Sequence, residues 1–136
     1  MTILVTGGTG LTGLGLAKLL HASKYPFLIA SRSGSAPEPF IDRAVKFNFL
    51  DESTFENPFQ VDSAIDRIYL VAPVLGDAFP VVKSFIDFAM SKGTKRFVLC
   101  GGTGFDKGTW SYGKIHQYLE DVGVEFTVLR PTFFIG

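Results

Sequence analysis

The sequence predicts a doubly wound parallel α/β sheet, and three observations carry that reading. Six short apolar runs recur along the 136 residues, at 2–6, 27–30, 44–49, 67–72, 95–100 and 125–130. They are continuously apolar rather than alternating, as expected of strands covered on both faces. Segments with helical spacing separate several of them, and glycines 7, 10 and 13 stand where the first strand gives way to the first helix.

Each element has a local cause. Ile3-Leu4-Val5 is an apolar, partly β-branched run, and the amphipathic segment Leu14 to Leu20 follows as a helix that stops near Ser23, because Pro26 cannot continue it. Phe27 to Ala30 is a buried-type strand ending at Ser31-Arg32-Ser33. A turn-rich loop with two prolines follows from Gly34 to Pro39, and strand-like composition resumes from Ala44 to Phe49. Asp51-Glu52-Ser53-Thr54 has capping character, and Pro58 limits any helix there to about one turn. Arg67 to Ala72 reads as a fourth strand closed by Pro73. Phe79, Val82, Phe85, Ile86 and Ala89 then fall at three-and-four spacing, which marks a helix ending near Gly93. Lys95 to Cys100 is a fifth strand, Trp110 to Val122 a helix stopped by Gly123, and Glu125 to Arg130 a sixth strand closed by Pro131. In a sheet of this kind the ligand lies over the C-terminal strand ends, where strand order reverses. The loops expected to meet there begin near Gly7, Ser31, Ala72 (with Pro73) and Cys100.

The stretch from Thr6 to Gly13 reads as strand, tight turn, helix. Such a turn aims unpaired N–H groups and the positive end of a helix dipole at one point, which suits a pyrophosphate. Gly7 permits the sharp turn, Gly10 keeps Cβ away from the phosphate, and Gly13 lets helix and strand approach. Thr9, Leu11 and Thr12 complete the loop as candidate cofactor contacts.

Composition narrows the function. Thirteen Lys and Arg balance thirteen Asp and Glu, so no broad basic field exists to hold nucleic acid or an anionic membrane. Cys100 is the only cysteine, which excludes an intramolecular disulfide and fits a reducing, cytoplasmic compartment. No long uninterrupted apolar span and no secretory leader is read, and no metal-binding motif. The length suits one domain over residues 1–136. The fourteen phenylalanines are assigned to core and lid packing.

The end of the second strand sets cofactor choice. An acid there would accept from the ribose 2′-hydroxyl of NAD, whereas this chain offers Ser31, Arg32 and Ser33. Arg32 suits a 2′-phosphate through a bidentate, charge-assisted contact, with the serine hydroxyls as further donors, so NADP(H) is expected. Asn48 and Asp51 either border the adenine or cap a turn.

Thr6-Gly7-Gly8-Thr9-Gly10-x-x-Gly13, Phe47-x-x-x-Asp51, and Gly113-Lys114-Ile115-His116-Gln117-Tyr118-Leu119 leading to Thr127-Val128-Leu129-Arg130-Pro131-Thr132 together resemble the NmrA-like atypical short-chain dehydrogenases. Within that group the chain is most similar to the fungal ergot-alkaloid dehydrogenase type, that of festuclavine and agroclavine dehydrogenases. The resemblance implies a Rossmann fold binding NADP(H) and an oxidoreductase of secondary metabolism that reduces an iminium or similar unsaturated small molecule. It also implies a longer enzyme, so the chain is read as the nucleotide-binding portion, without the C-terminal region that builds most of the substrate pocket. The apolar tail Phe133-Phe134-Ile135 then wants cover from a second copy or a partner chain.

Ordinary short-chain dehydrogenases pair a tyrosine with a lysine four residues later, the tyrosine passing a proton to the substrate oxygen. Here Trp110 stands four residues before Lys114, on the same helix face, and has no phenolic proton to give. Lys114 is assigned to the nicotinamide ribose, and Thr103 is a weaker catalytic candidate in the loop after the fifth strand. An iminium already carries its positive charge and accepts hydride without that proton. His116 reads as a surface helix residue and Cys100 as core. A non-catalytic redox sensor or scaffold, and a non-redox isomerase or cyclase, are the alternatives on the same fold.

Overall fold

The computed structural model describes residues 2–6, 11–36, 38–71, 79–100 and 111–129, with the backbone alone at 11–14, 100, 111–112 and 128–129. Its elements are β1 (Thr2–Thr6), α1 (Leu11–Ala22), β2 (Phe27–Ser31), β3 (Ala44–Lys46), α2 (Asn57–Val61), β4 (Ile65–Leu70), α3 (Phe79–Ser91), β5 (Arg96–Cys100), α4 (Ser111–Val122) and β6 (Glu125–Leu129). The strands form one sheet in the order β3-β2-β1-β4-β5-β6, and every pairing is parallel. This is the doubly wound fold expected from the sequence, with strand order reversing beside β1.

The unbroken apolar runs are explained by a core on each face. Leu4, Leu28, Ala30, Ile68, Leu70, Phe97 and Leu99 point to the side occupied by α3 and α4, where Val82, Phe85, Ile86, Ala89, Ile115 and Leu119 meet them. Their strand neighbours Ile3, Val5, Phe27, Ile29, Tyr69 and Val98 point the other way, packing with Ala17, Leu16 and Leu20 of α1. The described phenylalanines belong to this packing, as the core reading expects. Phe47, Phe49, Phe55 and Phe85 interlock with ring centroids 4.8 to 5.7 Å apart, mostly edge to face, and fasten the segment after β3 onto α3. β6 departs from the two-sided pattern. Phe126 packs into the main core while Glu125 and Thr127 are exposed, and α1, the described helix on that face, packs on β1 and β2.

β3 is shorter than expected, stopping at Lys46 rather than running to Phe49. The cause lies in its partner. β2 ends at Ser31, whose carbonyl accepts the last ladder bond from Phe47 N–H at 2.8 Å. Beyond it Asn48 N–H donates to Thr54 Oγ1 and Leu50 N–H to Asn48 Oδ1, so side chains satisfy backbone groups that have no strand to pair with. Pro58 sits in the first turn of α2, where its missing N–H costs nothing, and the helix is five residues long. No helix among the described residues is long and apolar enough to cross a membrane.

The start of β1 is held by Asp62. Its carboxylate accepts from Thr2 Oγ1 at 2.5 Å and from Ala64 N–H at 2.8 Å, and these bonds, the Thr2 one foremost, hold its pKa below the ordinary value. A depressed carboxylate pKa stabilises the fold above the unfolded-state value and loses that effect as pH falls through the folded-state value. Asp62→Ala is therefore expected to cost about 1 kcal/mol near neutral pH, after allowance for solvent screening, with the two proteins converging as pH falls through the lowered folded-state pKa of Asp62. Urea unfolding at a series of pH values checks this; a gap constant with pH would assign the loss to packing instead.

Candidate functional site

Because the sheet is parallel, the C-terminal ends of β1, β2, β4 and β5 lie on one edge, at Thr6, Ser31, Leu70 and Cys100. The connecting helices run back across the sheet, so the first turns of α1, α3 and α4 face the same edge. β1 stays paired with β2 through Thr6 opposite Ala30, whereas its pairing with β4 ends one residue earlier, at Val5 opposite Tyr69. The side chain of Thr6 takes over where that ladder stops. Its hydroxyl donates to the Tyr69 carbonyl at 2.8 Å and accepts from Val71 N–H at 2.8 Å, with Thr6 only 1% exposed. One buried hydroxyl thus carries the link between β1 and β4 past their last ladder pair.

A turn seated on β3 follows β2. Ser31 is buried and its hydroxyl lies 3.1 Å from that of Ser33, which in turn lies 2.7 Å from the Ser35 hydroxyl and accepts from Ser35 N–H at 3.3 Å. Gly34 N–H donates to the Ser31 carbonyl, and Gly34 adopts φ +77°. A side chain there would be strained by that φ, and its Cβ would press on Lys46 Cβ at 3.3 Å. Arg32 is exposed at the head of this turn. The arrangement offers a guanidinium and two exposed serine hydroxyls beyond the end of β2, a donor set suited to a phosphate monoester.

Asn48 and Asp51 lie just past β3, and both work as turn residues. Asn48 Oδ1 accepts from Leu50 N–H at 2.9 Å. Asp51 Oδ1 accepts from Ser53 Oγ at 2.6 Å and from Ser53 N–H at 3.0 Å, capping the short turn of helix at Glu52–Thr54. These bonds, the hydroxyl one first, hold the Asp51 carboxyl below its ordinary pKa.

Lys114 is exposed in the first turn of α4, on the β5–β6 side of the sheet and apart from the Arg32 turn. Its helix is clamped to α3. Tyr118 OH donates to Asp87 Oδ1, Lys83 Nζ donates to Asp87 Oδ2 at 3.2 Å, and Lys83 lies 5.0 Å over the Tyr118 ring. The bond to Asp87 raises the pKa of Tyr118, as it does that of Lys83. His116 is not the surface residue expected: it is half-buried, its ring packed on Phe126 at 5.3 Å, because it lies on the side of α4 that meets β6. Gly7, Thr9, Gly10, Ala72, Pro73, Thr103 and Trp110 lie outside the described residues; Leu11, Thr12 and Gly13 form the backbone of the first turn of α1. Of the expected contacts, then, Ser31, Arg32 and Ser33 share one turn, Asn48 and Asp51 border it through β3, and Lys114 stands on a separate helix. Sequence reading passed over Thr6, Ser35 and Lys46. A hydroxyl residue closing the apolar run Ile3-Leu4-Val5 was the available signal for the first.

A model described as the NAD dependent epimerase/dehydratase family matches residues 3–104. The chain belongs to that family. Festuclavine synthase I of Penicillium roqueforti is 43% identical over 99% of this chain and 48% of its own length. Agroclavine dehydrogenase of Claviceps fusiformis is 45% identical over 99% of this chain and 47% of its own. The chain spans about half the length of these curated relatives. Among solved structures, a nucleoside-diphosphate-sugar epimerase from Staphylococcus aureus superposes with a TM-score of 0.77 at 17% identity, over 96% of this chain and 50% of its own, a likeness of fold.

For this member of the epimerase/dehydratase family, Thr6→Val tests the hydroxyl bridge between β1 and β4. The substitution keeps the shape and removes both hydrogen bonds, and is expected to cost about 1–3 kcal/mol. Thr6→Ser, which keeps the hydroxyl, should recover most of that loss. Denaturant midpoints of the three proteins decide it.

Proposed function

We propose that this chain is the nucleotide-holding part of an NADP(H)-dependent oxidoreductase that reduces an iminium or other unsaturated small molecule in fungal alkaloid metabolism. The observation that carries the cofactor reading is Arg32, exposed at the head of a serine turn built directly on the end of β2. The names of the festuclavine and agroclavine relatives support the substrate class.

In this reading the glycine loop and the first turn of α1 hold the pyrophosphate, Arg32 and Ser33 hold the 2′-phosphate, and Lys114 holds the nicotinamide ribose. Bound NADPH would supply hydride. The chain's own contribution is to orient that group and keep water from it, since an iminium carbon needs no proton donor of the kind that Trp110 replaces. The single cysteine suits a reducing cytoplasmic setting. Trp110 also favours a second reading, a redox sensor that binds dinucleotide without turning it over.

Replacing Arg32 with alanine is expected to weaken NADPH binding about 10–100-fold while leaving NADH within about twofold, read by calorimetric titration. Equal losses for both nucleotides would remove the 2′-phosphate from the reading. Oxidation of NADPH by the full-length protein, followed by absorbance across a panel of cyclic iminium and enone compounds, separates enzyme from sensor. Binding without turnover anywhere in the panel would favour the sensor.

A further inference from the structure

We propose that Lys46 is a second cation for the 2′-phosphate, paired with Arg32 across the β2–β3 junction, and so a determinant of NADP(H) over NAD(H). The inference rests on the NADP(H) reading above and extends it to a residue that nothing in the motif pattern marks.

Geometry places Lys46 at the turn. It stands opposite Ser31 in the strand register, and the turn that follows Ser31 folds back over it. A Cβ built on Gly34 lies 3.3 Å from Lys46 Cβ, 3.6 Å from its Cα and 3.7 Å from its N. Three bonds fix the local backbone: Phe47 N–H to the Ser31 carbonyl, Gly34 N–H to the same carbonyl, and Asn57 Nδ2 to the Lys46 carbonyl at 2.9 Å. Val45 and Phe47 on either side are buried, while Lys46 is exposed. Its side chain therefore leaves the sheet beside the turn whose head is Arg32. The anionic neighbour on this side is Asp51, whose carboxylate is engaged by Ser53 and whose acidity Lys46 adds to.

Charge gives the reason for two cations. A phosphate monoester carries about −1.5 to −2 charges near neutral pH, so one guanidinium leaves much of it uncompensated. Serine hydroxyls add hydrogen bonds without charge. A lysine beside the turn supplies the balance, and it has no corresponding work against the neutral 2′-hydroxyl of NAD(H). The competing role for an exposed lysine on β3 is protection of a sheet edge against pairing with another chain.

The test is calorimetric titration of the full chain and its variants with NADPH, NADH, adenosine 2′,5′-bisphosphate and AMP. Lys46→Ala is expected to weaken NADPH and the bisphosphate about tenfold and to leave NADH and AMP within about twofold; Lys46→Arg should recover most of the loss. Lys46→Gln, which keeps the length of the stem, stands in should the alanine variant lose its folded far-UV spectrum. An unchanged NADPH to NADH ratio in the neutral Lys46 variants, alongside a reduced ratio in Arg32→Ala, overturns the role of Lys46 and leaves the NADP(H) reading in place. Equal losses for all four nucleotides assign Lys46 to the scaffold and overturn it likewise. Preference of the unsubstituted chain for NADH, or binding of neither dinucleotide, overturns both.

Discussion

The structure depends on the point where β1 parts from β4. A doubly wound sheet must reverse its strand order somewhere, and at that place neighbouring loops leave in opposite directions, so backbone pairing runs out earlier there than elsewhere. Here it runs out at Val5 opposite Tyr69, and Thr6 Oγ1 bridges the next step by acting as donor and acceptor at once. Without a group of that kind the buried ends of β1 and β4 would present polar backbone atoms to a core that cannot satisfy them. A hydroxyl is small enough to sit between strands and can both give and take a hydrogen bond. A carboxylate could only accept, and an aliphatic side chain could do neither.

From that fixed point the edge that carries the serine turn is built outward by short-range steps. β2 pairs with β1 along Phe27 to Ala30, and β3 with β2 through Ala44 to Lys46. The serine turn hangs from the last residue of β2 and rests on the last residue of β3. Phe47 and Phe49 then lock the following loop to Phe85 of α3, which prevents β3 from lifting off the sheet edge. The exposed charges of Arg32 and Lys46 thus sit on or beside backbone that buried aromatic packing holds in place.

Most of the fold was legible because its signals are local. The apolar runs and helical spacings locate nine of the ten principal elements to within a few residues; the tenth, α2, falls in a stretch that reads as loop because Pro58 looks like a stop, whereas it stands in the first turn of the helix. β3 was overextended because its end is decided by where β2 stops, a non-local fact that the composition of Phe47-Asn48-Phe49 hides. His116 was misplaced for a similar reason: spacing within α4 shows which residues share a face, while the docking of α4 against β6 decides which face is covered. Arg32 could be read as a site residue because it follows a strand end directly. Lys46 could not, since its relation to Arg32 exists only through strand register and the left-handed turn at Gly34.

The two ends of the candidate site differ in how they are held. Ser31 and Lys46 close adjacent paired strands, and Arg32 and Ser33 stand in the turn that follows Ser31, held by the Gly34 N–H bond to the Ser31 carbonyl. Lys114 is positioned by the docking of one helix on another, through an exposed Tyr118–Asp87 contact and through Ile115 and Leu119 in the core, alongside a strand whose Glu125 and Thr127 remain exposed. Ladder geometry tolerates little displacement, whereas packed helices slide by small amounts at low cost. A fold built this way fixes the β2–β3 turn closely and leaves the α4 side more room to shift.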